Sequence, residues 1–89
     1  MIFITLGKWK QAPTKKMRPQ MDQFTKAAEE LEKQGIKIQG YWTLGRYDMV
    51  AIIEAPTEKD AMKVLLGWAH VVDMETLTAV PRDEAIKLL

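Results

Sequence analysis

The chain has 89 residues, a formal net charge of +1 and a hydrophobic share of 47%, which is typical of a single globular domain, residues 1–89. The absence of cysteine excludes disulfides, thiolate metal sites and a cysteine nucleophile. No apolar run reaches the roughly 18 residues of a membrane helix, and the start does not resemble a signal peptide. We therefore expect a cytoplasmic protein with no membrane partner.

The first predicted element is a strand over residues 2–9. Its side chains fall into two alternating sets, with Ile2, Ile4 and Leu6 on one side and Phe3 and Thr5 on the other. A period of two with β-branched residues is typical of a strand.

An amphipathic helix is predicted next. Pro19 suits its first turn, and apolar residues then recur at steps of three and four from Met21 to Leu31. Gly35 predicts a left-handed helix end, after which Ile36 packs back on Leu31.

Two further strands, 36–44 and 47–55, are predicted to form a hairpin around Gly45 and Arg46. This dipeptide suits a tight turn with the glycine at positive φ. The turn sets a register that places Lys37 opposite Glu54, a charge match that supports the same pairing. One hairpin face is then apolar throughout and is expected to lie under helices, so that Phe24, Trp42 and Trp68 belong to a helix–sheet core.

The remaining elements complete the fold class. Thr57 and Asp60 predict the N-cap of a second helix, and a strand over about 71–80 and a short helix after Pro81 follow. The order βαββαβ predicts an α+β, ferredoxin-like fold: a four-stranded antiparallel sheet with both helices on one face. Which side of the last strand faces the helices stays open.

The other face of such a sheet is left without helices. The residues expected there form an apolar patch too large to leave in water, and a second copy of the sheet is the most economical cover. We therefore predict a homodimer through this face.

Three short runs stand out from residue 41 onward: 41–48 (YWTLGRYD), 54–56 (EAP) and 75–77 (ETL). Together they resemble the GYD-domain family. The resemblance implies a dimeric α+β barrel, in which the sheets of two chains face each other and enclose a cavity. The family has no settled activity, so the resemblance implies a fold rather than a reaction.

We interpret the enclosed space as a site for a small, partly apolar molecule, because small-molecule sites have mostly apolar walls with a few polar groups. The chain has neither serine nor cysteine, which excludes Ser/His/Asp and Cys/His nucleophile chemistry. Its only histidine is His70, so no multi-histidine metal site is expected, and no cofactor is needed to explain the aromatic residues of the predicted core. For His70 we favour a helix-end or interface role. The predicted wall residues are Phe3, Thr5, Tyr41, Thr43, Asp48, Val50 and Ile52.

Two other functions are considered. One is a cofactor-independent enzyme, an isomerase or monooxygenase by analogy of fold, in which Asp48 is the general base and Tyr41 or Thr43 orients the substrate. In a purely structural alternative, Asp48 accepts hydrogen bonds from Thr43 or turn amides. The second alternative function is nucleic-acid binding through the basic segment from Lys8 to Arg18. The net charge of only +1 and the lack of a nucleic-acid motif argue against it.

Overall fold

The computed structural model describes all 89 residues and has four strands and three helices. The strands form one antiparallel sheet in the order β2-β3-β1-β4, which confirms the predicted ferredoxin-like α+β arrangement. None of the helices combines the length and the apolar character needed to cross a membrane. The elements are β1 (Ile2–Trp9), α1 (Arg18–Lys33), β2 (Lys37–Trp42), β3 (Met49–Glu54), α2 (Glu58–Trp68), β4 (Val72–Ala79) and α3 (Arg82–Ile86).

Both predicted helix boundaries are confirmed by their capping hydrogen bonds. At the end of α1, Gly35 has a φ of 85°, and the Ile36 N–H donates to the Leu31 carbonyl at 3.1 Å, which is a Schellman motif. At the start of α2, the Asp60 N–H donates to the Thr57 hydroxyl at 3.2 Å. The end of α1 and the start of α2 are therefore set by local interactions that the sequence predicts.

The hairpin has the predicted register. The pairs of β2 and β3 run from Trp42 opposite Met49 to the far ends of both strands, as expected, and Gly45 has a φ of 102°. The loop is longer than the predicted two-residue turn, because the last backbone bond of the hairpin joins the Thr43 N–H to the Asp48 carbonyl at 2.8 Å.

The core lies between the sheet and the helices α1 and α2. Phe3 and Ile53 face each other across β1 and β3 and pack in one buried cluster with Ala61 and Val64 of α2. Thr5 is fully buried beside them, and its hydroxyl lies 2.9 Å from the Thr76 hydroxyl. This hydrogen bond allows a polar side chain to be buried at low cost.

The prediction that Phe3 and Thr5 lie on the uncovered face is wrong. Directly opposed residues of neighbouring strands point to the same face, and Phe3 and Thr5 are opposite Ile53 and Ala51. Ile53 and Ala51 belong to the apolar hairpin face, which the sequence pattern predicted to lie under the helices, and both are buried. Phe3 and Thr5 therefore belong to the core and cannot line a cavity on the other side of the sheet.

The side of the sheet that faces away from α1 and α2 is called the open face below. None of its residues is buried, and on β4 it includes Glu75, Leu77 and Ala79, which decides the orientation left open above. Its members are Ile2, Ile4, Leu6, Lys8, Lys37, Gln39, Tyr41, Val50, Ile52, Glu54, Asp73, Glu75, Leu77 and Ala79.

Candidate functional site

An apolar stripe crosses the middle of the open face. Ile4 on β1 lies opposite Ile52 on β3 and Leu77 on β4, and the next pair along, Leu6 and Val50, continues the apolar surface. The stripe thus spans the three strands β3, β1 and β4 without a polar side chain.

A polar cluster borders this stripe at the end nearest the hairpin loop. The Tyr47 hydroxyl donates to the Glu75 carboxylate at 3.3 Å. The cations of Lys8 and Arg46 lie 5.9 and 5.8 Å from the centre of the Tyr47 ring, within the range of a cation–π interaction. The open face therefore combines an apolar middle with a polar end that carries both signs of charge.

The Tyr47–Glu75 pair was not among the predicted site residues. Both residues lie in the runs that carry the family resemblance, but those runs are far apart in sequence. Only the pairing of β1 with β4, which places Glu75 opposite Leu6, brings the carboxylate beside the hairpin loop.

Asp48 has a structural role at the end of β1. Its carboxylate accepts a hydrogen bond from the Trp9 N–H at 2.9 Å, and its own N–H donates to the Gly7 carbonyl at 2.8 Å. The expected contact with Thr43 is wrong in detail, because the Thr43 hydroxyl donates to the Tyr47 carbonyl at 2.7 Å. Asp48 and Thr43 therefore fasten the hairpin loop to the sheet.

Asp48→Ala is expected to lower the free energy of unfolding by about 1.5–3 kcal/mol, since it removes a charged acceptor from a backbone N–H. Urea unfolding followed by circular dichroism measures this loss. Asp22→Ala, on α1 and away from the open face, is the matched control: its side chain is 60% exposed and its carboxylate lies 3.3 Å from Arg18, so the change is within about 0.5 kcal/mol. Equal midpoints for the two variants would show that Asp48 does not fasten the hairpin loop.

Of the remaining predicted wall residues, Tyr41, Val50 and Ile52 share the open face. Tyr41 is 53% exposed, whereas Val50 and Ile52 are half-buried by their neighbours. The structure thus brings together three of the seven predicted wall residues on one surface, with Asp48 and Thr43 at its border.

A groove lies on the opposite side of the sheet, between α1 and the uncovered end of β2. This groove has a volume of about 410 Å³, and all three tryptophans of the chain, Trp9, Trp42 and Trp68, line it together with Phe24 and Met49. We call it the tryptophan groove. Neither the residue pattern nor the resemblance predicted it.

Trp42 is the exposed wall of this groove. It was expected in the helix–sheet core, but it is 66% exposed and contacts Trp9 edge to face, with ring centres 5.3 Å apart. Gly40, its neighbour on the same face of β2, is also exposed. The helices therefore do not reach over this end of β2, and the uncovered strip forms the floor of the groove.

His70 lies beside α1, with its ring centre 6.4 Å from that of Phe24, which lines the groove. His70 follows α2, is exposed, and has its Nε2 atom 3.1 Å from the Gln20 side chain. Within the basic segment, Lys10 lies 4.0 Å from Asp73 and Arg18 lies 3.3 Å from Asp22, and all of the cationic side chains are exposed. Nucleic-acid binding by this segment stays a prediction.

The strand order and the position of the helices define a ferredoxin-like α+β domain with one sheet face left uncovered by α1 and α2. The family model of the GYD domain matches residues 3–89. The chain therefore belongs to the GYD domain family, as the sequence resemblance implied. No match was found among curated proteins or among solved structures.

Proposed function

We propose that the protein is a homodimer that pairs through the open face and holds a small, partly apolar molecule between the two sheets. The observation that carries this proposal is the apolar stripe of Ile4, Ile52 and Leu77, which lies on the side of the sheet opposite α1 and α2. Contiguous apolar surface of this kind marks an interaction site in soluble proteins.

The exposed area of the chain supports a partner. The accessible surface is 6810 Å², whereas a folded monomer of this mass exposes about 5,300 Å². The excess of about 1,500 Å² exceeds the roughly 800 Å² that each partner loses in a standard interface. A sheet-to-sheet contact with a second copy therefore brings the exposed area toward the usual value.

The charges on the open face are compatible with self-association. Lys37 and Glu54 lie opposite each other at one end of the face, and Lys8 and Glu75 lie toward the other end. In a dimer with a twofold axis the same surface meets its own copy. Because each end carries both signs, such a contact does not require charges of one sign to face each other.

The ligand part of the proposal follows from the division of the face into an apolar middle and a polar end. Ile4 and Ile52 supply the apolar walls, and the hydroxyls of Tyr41 and Tyr47 supply hydrogen bonds at one end. Small-molecule sites combine these features. The ligand class is therefore an apolar molecule with a polar group at one end.

Sedimentation velocity of the unmodified protein tests the assembly. At micromolar concentration we expect a species with twice the mass of the chain, because the open face buries apolar surface only in the dimer. A single species with the mass of one chain at every concentration contradicts the proposal.

Native mass spectrometry with anilinonaphthalene sulfonate tests the ligand part. We expect a dimer that retains the dye, and a dimer that retains none overturns the ligand part alone.

A further inference from the structure

We propose that the tryptophan groove is a second binding site, which takes a flat, uncharged, aromatic molecule with hydrogen-bond acceptors. The groove lies on the helix-covered side of the sheet, whereas the proposed dimer contact lies on the open face. Tyr41 of β2 borders both surfaces, but the other residues that line the groove are not on the open face, so either proposal can fail without the other.

The size and lining of the groove fit a small molecule. Its volume of about 410 Å³ lies within the range of small-ligand pockets. Twelve of the fourteen lining residues are hydrophobic, and none carries a charge. A charged ligand would lose its hydration here without gaining a partner of opposite sign, so an uncharged one is favoured.

The floor of the groove is open because of Gly40. A Cβ atom built at Gly40 meets no other atom within 4 Å, whereas one at Gly7 in the neighbouring core would come within 2.6 Å of a Val72 methyl. The space above Gly40 is thus not needed for packing of the chain itself. A ligand ring lying on the strand at this position contacts backbone directly.

The walls present aromatic surface at two orientations. Trp9 and Trp42 meet at an interplanar angle of 76°, so a planar ligand can stack on one ring while the other ring meets its edge, the two favourable aromatic geometries. The helices supply further aromatic side chains: α1 contributes Phe24 and α2 contributes Trp68.

The side-chain polar groups of the residues that line the groove are the hydroxyls of Thr25 and Tyr41 and the three indole N–H groups. The Thr25 hydroxyl is engaged, because it donates to the Met21 carbonyl at 3.2 Å. None of the three indole N–H groups donates to another residue of the chain, and indole is a donor only. A carbonyl or ether oxygen on the ligand complements these donors.

Coumarin, which is flat, uncharged and carries a carbonyl, is a suitable probe, and its carboxylate derivative is the charged counterpart. Because all three tryptophans line the groove, the three indole N–H signals in a nitrogen–proton correlation spectrum report on binding. We expect these signals to shift and saturate with coumarin, and affinity for the carboxylate derivative to be at least about tenfold weaker. Absence of a saturable shift, or equal affinity for the two compounds, overturns the proposal.

Two variants localise the binding. Gly40→Val fills the space above the strand with a residue that favours strands and is expected to weaken coumarin binding at least about tenfold. Gly67→Ala, on α2 and outside the groove, is the matched control and keeps wild-type affinity. Trp42→Ala removes a mostly exposed wall and is also expected to weaken binding.

Coumarin binding unchanged in both Gly40→Val and Trp42→Ala contradicts the site. Dissociation of a wild-type dimer by Gly40→Val would instead identify the groove as an interface between copies of the chain, and the ligand assignment would be wrong.

Discussion

Phe3→Ala is expected to lower the free energy of unfolding by about 3–5 kcal/mol, the usual cost of removing a buried aromatic ring. Phe3 is only 5% exposed and shares a cluster with Ile53, Ala61 and Val64. A domain of this length has a total stability of roughly 4–13 kcal/mol. The substitution therefore removes a large part of it, and urea unfolding should show a much lower midpoint.

Tyr41→Ala is the matched control, because it truncates an aromatic residue on the other side of the same sheet. Tyr41 is 53% exposed and lies opposite Val50 on the open face. When both substitutions are made in an Ile4→Lys chain, which lacks the proposed dimer contact, Tyr41→Ala lowers the free energy of unfolding by about 1 kcal/mol or less. An equal decrease in the free energy of unfolding for the two variants would mean that Phe3 is not in the core. The register of β1 against β3 would then be shifted by one residue.

This comparison also explains why the sequence predicted the hairpin correctly and the first strand incorrectly. In the hairpin, the Gly45 turn and the Lys37–Glu54 charge pair fix the register from local information. In β1 both alternating sets contain apolar residues, and only pairing with β3, which is distant in sequence, decides that Phe3 faces the helices. Alternation predicts that a strand has two faces but not which of them is covered.

The tryptophan groove was beyond prediction for a related reason. The apolar pattern correctly places Trp42 on the side of the sheet that faces the helices. Its exposure depends on where α1 crosses the sheet, and periodicity contains no information on that crossing. Gly40 was a possible signal, since a glycine inside a strand often marks a place where another group approaches closely.

Ile4→Lys is expected to dissociate the proposed dimer and to raise its dissociation constant at least about 100-fold. Ile4 lies at the centre of the apolar stripe, between Ile52 and Leu77. In a single chain this position is half-buried at the sheet surface, so the lysine amine can extend into water and the fold is kept. In a face-to-face dimer two such amines would be brought together away from water, which is strongly unfavourable.

Leu66→Lys makes the same kind of exchange on α2, where Leu66 is 69% exposed and remote from the open face. We expect this control to sediment as the unmodified protein does. If Ile4→Lys also keeps twice the chain mass, the open face is not the contact, and the dimer proposal is wrong. A dissociated Ile4→Lys chain should still bind coumarin with wild-type affinity, because the tryptophan groove lies on the other side of the sheet. If Ile4→Lys abolishes both dimer formation and coumarin binding, the groove forms only in the assembled protein.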